Sequence, residues 1–222
     1  MAGPPCRAVI FDMDGVLTDS EPAFHAAVND ILGRYGESIA LDAYERFIGM
    51  ATPVMWEQVI ALKRIPATVT EIIDAYEAPL MARLRQPRPP LPGARDLLAT
   101  LRARGVPLGL CTASYRRWAA AILASAGIDA EFDAIVAGDD VARTKPDPEP
   151  YVRAAALLGV APAQCVVIED SASGLTSALA AGARVVQLRA TGTAAPPMPG
   201  VALVIASLAK FPLELVAAGR TP

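Results

Sequence analysis

The sequence predicts an α/β fold, a doubly wound parallel sheet interrupted by a small helical insert. Three observations predict it. Short apolar runs rich in β-branched residues recur along the chain, with helical patterns between them. These runs are apolar throughout instead of alternating, which is the pattern of strands covered on both faces. Residues 21–85 then break the alternation, showing helical spacing and no strand pattern.

Taken in order, strands are predicted over residues 7–11, 106–111, 134–137, 165–168, 184–188 and 202–205. Helices are predicted over 94–103, 116–126, 150–158, 174–181 and 208–217, and Gly105, Gly127, Gly159 and Gly182 stand just beyond four of these patterns. In the insert, Phe24, Val28, Ile31 and Leu32, then Val59, Ile60 and Leu62, then Ile72, Ile73 and Tyr76 recur at helical spacing. The insert begins just after the first strand and ends in the stiff segment Gln86-Pro87-Arg88-Pro89-Pro90-Leu91-Pro92-Gly93. The expected organisation is a Rossmann-like catalytic core of residues 1–17 plus 90–222, with an α-helical cap domain at 18–89. A helical domain carried on two hinges beside a strand end is a natural lid.

Composition excludes several functions. With 222 residues, 53% of them hydrophobic, the chain can bury one core and a small inserted domain. The net charge is −3 and the arginines are scattered, so no basic stripe suits nucleic acid. The first residues are polar too soon for a signal peptide, and no apolar run approaches the ~18 residues of a membrane span. Cys6, Cys111 and Cys165 contain no CxxC and are expected to be buried, reduced thiols of a cytoplasmic protein. A monomer is expected, a dimer being the alternative. His25 is the one histidine, which removes Ser-His-Asp, Cys-His and multi-histidine zinc schemes together. Acid–base chemistry must use carboxylates or lysine.

The first strand ends in Phe11-Asp12-Met13-Asp14-Gly15. Residues two apart in a strand share a face, so Asp12 and Asp14 leave the sheet together, and Gly15 permits a tight turn or a close ligand. An Asp-x-Asp by itself also fits a loop or a helix cap. Other polar stretches follow other strands: Thr112-Ala113-Ser114, then Gly138-Asp139-Asp140 leading to Lys145-Pro146, then Glu169-Asp170. Ligands of open parallel sheets bind beyond the carboxyl ends of strands. Asp12, Asp14, Glu169 and Asp170 cannot share that edge ionised without a cation, and an all-oxygen donor set selects Mg²⁺. A lysine and a hydroxyl beside it suit a phosphoryl group. Ser114 is the expected cap of helix 116–126, Ser171 a candidate cap for the helix beginning near Ser173, and Asp139 and Asp140 are expected to be loop acids.

The stretch FDMDGVLTDSEP, followed by Thr112, Lys145 with its proline, and Glu169-Asp170, resembles the four motifs of the haloacid dehalogenase superfamily in order and in strand-end context. The resemblance covers essentially the whole chain. It is nearest the members with a helical cap between motifs one and two, such as β-phosphoglucomutase, phosphoglycolate phosphatase and sugar-phosphate phosphatases. It implies that Asp12 is the nucleophile forming an aspartyl phosphate. Asp14 would protonate the leaving oxygen and then deprotonate the incoming water or hydroxyl. Thr112 would bind the phosphoryl group, and Lys145 would neutralise Asp12 and the phosphate. Asp12, Asp170 and the backbone carbonyl of Asp14 would hold Mg²⁺, with Glu169 assisting directly or through water. Gly15, Ala113 and Ser114 are expected beside Thr112 and Lys145 in the substrate site, and Arg46 and Arg116 as contacts to a substrate anion.

Dehalogenation is set aside, because it needs neither a metal nor an acid at the Asp14 position. The expected function is a Mg²⁺-dependent phosphatase acting on a small sugar or organic phosphate monoester. A phosphosugar mutase is the alternative within the family. In β-phosphoglucomutase an arginine stands three residues beyond a cap glycine, whereas here Gly49 is followed at that distance by Thr52. The mutase asparagine after motif two is absent here, and Arg116 stands near its position. The other alternative is a non-catalytic Mg²⁺-binding or phospho-aspartate switch domain. It fits poorly, since receiver domains lack a cap and an acid two residues after the phosphorylated aspartate.

Overall fold

The apolar runs pair into one sheet because the central ones are covered and can satisfy their backbones only from neighbours, while Leu203 and Val204 of the last, edge run stay exposed. The strands are β1 (Ala8–Phe11), β2 (Leu108–Cys111), β3 (Ala134–Val136), β4 (Cys165–Glu169), β5 (Arg184–Leu188) and β6 (Leu203–Ile205), in the order β3-β2-β1-β4-β5-β6. Every pairing is parallel. The structure, a computed structural model, describes residues 4–48, 50–190 and 194–218; Gly49, part of the cap motif weighed above, lies outside them. Two compact units result, Met1–Asp19 with Arg88–Pro222 and Ser20–Pro87.

In the first unit, α5 (Ala94–Ala103), α6 (Arg116–Ala126), α7 (Glu149–Leu157) and α8 (Ala172–Ala180) connect the strands. Ile10, Cys111, Val136, Val167 and Val185 form one core with Tyr151 and Ala154 of α7 and Leu175 and Ala178 of α8. The alternate residues Val9, Phe11, Leu110, Val166, Ile168 and Val186 are equally buried. Successive side chains point to opposite faces, so both faces of the sheet are covered.

The predicted helix over 208–217 is instead two 3₁₀ turns, Leu208–Lys210 and Leu213–Leu215. Pro212 explains the break. It pushes the residue before it out of the helical region, and Phe211 is extended at φ −63°, ψ 123°. The last segment then pairs with the chain start, Cys6 N donating to Leu215 O and Ala217 N to Cys6 O, both at 2.8 Å.

The second unit holds α1 (Glu21–Gly33), α2 (Leu41–Tyr44), α3 (Thr52–Lys63) and α4 (Val69–Leu84). Val28, Ile31, Leu32, Val59, Ile72 and Tyr76 are buried there as their spacing predicts, but Leu62 is 48% exposed and Trp56 takes a fully buried place. His25 is a packing residue, its Nε2 lying 2.8 Å from Ile39 O and its ring 5.0 Å from that of Tyr44. Thr68 and Glu71 close a capping box at the start of α4. No helix among the described residues is long and apolar enough to cross a membrane.

Candidate active site

The strand order reverses around β1, whose neighbours are β2 and β4, and this is where open α/β sheets bind ligands. Phe11 is level with both Leu110 and Ile168. Asp12, Thr112 and the pair Glu169-Asp170 therefore leave the sheet at nearly the same height. Asp12 N still donates to Ile168 O at 3.0 Å, so the aspartate stands on the last bonded rung.

The chain then turns tightly. Leu17 N and Thr18 N both donate to Met13 O, and Gly15 N donates to Thr18 O at 2.8 Å. Gly15 sits at φ +82°, and a Cβ there would lie 2.1 Å from Asp170 Oδ2. The position thus needs glycine twice over, for its left-handed backbone and for the carboxylate against it.

Lys145 reaches this edge from the loop before α7. That loop closes through Asp147 N to Thr144 O at 3.0 Å, and the Asp147 carboxylate accepts Glu149 N at 2.9 Å as α7 begins. The Lys145–Pro146 peptide is cis. The Lys145 side chain is 4% exposed. Its ammonium donates to Asp12 Oδ1 at 2.5 Å, Glu169 Oε1 at 2.7 Å and the Cys111 carbonyl at 2.9 Å. All three hydrogens are thereby committed, one to each of β1, β2 and β4.

Glu169 is fully buried. Its Oε1 also accepts the Tyr151 hydroxyl at 3.0 Å; its Oε2 accepts Asp170 N and Ser171 N at 2.8 Å and Ser171 Oγ at 3.0 Å. Five donors occupy the roughly four lone-pair sites of a carboxylate. That weights Glu169 toward holding Lys145 and the β4–α8 turn, and leaves Asp12 and Asp170 as the oxygens open to a cation. Gly174 belongs to the same arrangement, since a Cβ there would lie 1.5 Å from Glu169 Oε1. Ser171 caps α8 as expected, accepting Gly174 N at 3.1 Å.

Thr112 and Ser114 are also at this edge. Thr112 is buried, its Oγ1 accepting Ser114 N at 3.1 Å, and the Ser114 hydroxyl lies 3.5 Å from Asp14 Oδ2. Asp14 and Gly15 are half-buried and Ala113 is exposed. The expected cap role of Ser114 is corrected: the residue capping α6 is Tyr115, with no side-chain cap bond, and the Asp139 carboxylate accepts Arg116 N at 2.8 Å from the neighbouring turn. Arg116 is likewise paired with the neighbouring turn and β3. Its Nε donates to Asp140 at 3.1 Å, its Nη2 to Ile135 O at 2.9 Å and again to Asp140. A bidentate pair with a carboxylate neutralises the charge that would have drawn a substrate anion. Arg46 belongs to the helical unit, with its guanidinium 4.6 Å from the Phe47 ring centroid.

Electrostatically the cluster is overloaded with negative charge. Burial pushes the Asp12 carboxyl up to about 8; Lys145 opposes this, and Glu169 and Asp14 add to it. Burial, then Asp12 and Glu169, push Asp170 up to about 9 against Lys145. Burial alone would lower Lys145, but Asp12 and Glu169 outweigh it and hold the ammonium well above its usual range. Lys145 thus stays cationic, and one ammonium faces three carboxylates whose ionised forms need a further cation.

The residues fit a hard divalent cation. Ligand oxygens of Asp12, Glu169 and Asp170 lie within 4.8 Å of one another. Asp170 Oδ1 is buried without a hydrogen-bond partner among the described residues. Leaving such an oxygen unpaired is costly, and a metal would satisfy it. Only oxygens are offered, as Mg²⁺ requires. Sequence reasoning missed Tyr151, which lies at the bottom of this network. Its signal was a single aromatic on an apolar helix face, indistinguishable in sequence from any core residue.

Comparisons with known proteins identify the family. The model of the haloacid dehalogenase-like hydrolases matches residues 6–182. A phosphoglycolate phosphatase of Cupriavidus necator is 33% identical over 226 residues, covering 98% of this chain and 96% of the relative. Hexitol phosphatase A of Escherichia coli is 34% identical, covering 91% and 92%. The crystal structure of CbbY from Rhodobacter sphaeroides in complex with phosphate superposes with a TM-score of 0.82 at 26% identity, covering 92% of this chain and 96% of that one. This chain belongs to the haloacid dehalogenase-like hydrolases.

Proposed function

We propose, from that membership and the site geometry, that the protein is a Mg²⁺-dependent phosphatase of small sugar or organic phosphate monoesters, working through an aspartyl phosphate. One observation carries the reading: a buried lysine touches Asp12, and the neighbouring Asp170 keeps an unpartnered oxygen. In this reading Asp12, Asp170 and the Asp14 carbonyl hold Mg²⁺. When bound, the ion supplies positive charge that lowers the repulsion between a carboxylate and a phosphate.

The protein's own groups do the rest. Asp12 attacks phosphorus as the bond to the ester oxygen breaks. Asp14 gives that oxygen its proton, so the alcohol leaves neutral. Asp14 then takes a proton from water as the water oxygen attacks the aspartyl phosphate. The phosphorus–Asp12 bond breaks, and orthophosphate and free Asp12 result. Lys145 holds Asp12 oriented and offsets charge throughout, and Thr112 is the proposed donor to the phosphoryl group. Gly15, Ala113 and Ser114 would frame that group, with the Ser114 hydroxyl beside the Asp14 carboxylate. Substrate choice is assigned to residues outside this cluster, Arg46 among them.

The test is phosphate release from a panel containing 2-phosphoglycolate, hexitol phosphates and hexose phosphates, with Mg²⁺ and with chelator. Asp12→Asn should remain folded and lose activity by roughly a thousandfold or more. Unchanged activity in Asp12→Asn, or isomerisation of a hexose 1-phosphate without phosphate release, would overturn the reading.

A further inference from the structure

Tyr151 occupies an unusual place. It is fully buried on α7, with an apolar cluster around its ring. Its hydroxyl donates to Glu169 Oε1 at 3.0 Å, and the same oxygen accepts Lys145 Nζ at 2.7 Å. The Lys145 ammonium also stands over the Tyr151 ring, 5.0 Å from its centroid. One buried side chain thus touches both partners of the ion pair behind the nucleophile.

We propose that Tyr151 is a positioning residue that keeps Lys145 shared between Glu169 and Asp12. The inference rests on the phosphatase reading for its effect on rate. Its physical basis is competition for one ammonium. Glu169 Oε1 receives two donors, and the tyrosine hydroxyl satisfies part of its demand. The ring face meanwhile cradles the ammonium from below, which a cation–π contact favours. Without the hydroxyl, Glu169 must draw more heavily on Lys145, and the contact from Lys145 to Asp12 loosens. Asp12 would then approach a phosphate dianion with its charge less offset, which slows attack more than it weakens substrate binding.

Tyr151→Phe separates these contributions, because it keeps the ring and removes only the hydroxyl. With p-nitrophenyl phosphate and Mg²⁺, kcat should fall about tenfold, of the order expected for a hydrogen bond to a charged group. KM and the melting temperature should stay near wild type. Gly174→Ala gives an independent route, since its added Cβ would crowd Glu169 Oε1 at 1.5 Å and should reproduce the kcat loss.

A second readout does not depend on catalysis. The chain has three lysines, Lys63, Lys145 and Lys210. In protein labelled with ¹⁵N-lysine, the buried Lys145 ammonium should exchange slowly, and its resonance should move in Tyr151→Phe while the other two stay. An unmoved Lys145 resonance would overturn the inference whatever the activity. So would an unchanged kcat, or a kcat loss matched by a comparable loss of folding. A moved resonance in a protein that releases no phosphate from any ester would instead overturn the phosphatase reading and leave the positioning role standing.

Discussion

Replacing Lys145 by Met keeps a long, flexible side chain and deletes the one cation of the buried cluster. Lys145, Asp12 and Glu169 have side chains only 4%, 10% and 0% exposed, so water screens little of their interaction. Removing one partner of a buried pair costs about 3–5 kcal/mol, because the charge left behind is uncompensated. A loss of roughly 4 kcal/mol lowers the melting temperature of a chain of this size by about 10 °C. The assay is a thermal melt in chelator and again in saturating Mg²⁺. The cluster loses its ammonium and keeps all three carboxyl groups. Mg²⁺ should therefore stabilise Lys145→Met more than wild type and narrow the gap. Equal stabilisation of both proteins would show that the ammonium and the cation do not share these carboxylates. A melting temperature within 1–2 °C of wild type in chelator would refute the buried-pair reasoning altogether.

Two further predictions concern the cation. Asp12 and Asp170 are raised to about 8 and about 9, above the values of an unfolded chain. Folding therefore takes up protons at these groups, and metal-free stability falls as pH rises from about 4 through 9. Mg²⁺ competes with those protons, so the melting-temperature gain from Mg²⁺ should be larger at pH 9 than at pH 6.5 and be abolished by chelator; a gain independent of pH would contradict the cluster's assignment. Gly15→Ala forces a side chain into a left-handed position and against the Asp170 carboxylate. It should lose about 1–2 kcal/mol of stability from the backbone and need at least about tenfold more Mg²⁺ for half-maximal stabilisation, and an unchanged Mg²⁺ response would show that Asp170 does not hold the metal.

Much of the fold was legible in the sequence. Helices 94–103 and 116–126 and strand 184–188 occur at their predicted bounds, because apolar periodicity is strong there. Residues 208–217 failed because helical periodicity was read past Pro212, and because pairing with Cys6, some two hundred positions away, captured the segment. Ser114 was a reasonable local cap, but a carboxylate from the next strand's loop reached Arg116 N first. Arg116 is expected from sequence to contact a substrate anion, and only the folded chain reveals Asp140 facing it. Local sequence cannot express such contacts, since the partners lie over twenty residues apart.

The sequence by itself determined the doubly wound sheet and pointed to Asp12, Asp14, Thr112, Lys145, Glu169 and Asp170 as candidates at one edge of it. Strand-end position and charge excess are one-dimensional signals: they follow from where apolar runs stop and which groups stand there. Tertiary structure alone decided how the acids divide their work. Glu169 and Asp170 are adjacent in the chain and chemically alike. Yet Glu169 is turned inward, with both oxygens occupied by Lys145, Tyr151 and the turn after β4, and Asp170 is turned toward Gly15 with an oxygen left over. A strand sends successive side chains to opposite faces, and the neighbours met on each face occupy one carboxylate with the lysine and leave the other with an open oxygen.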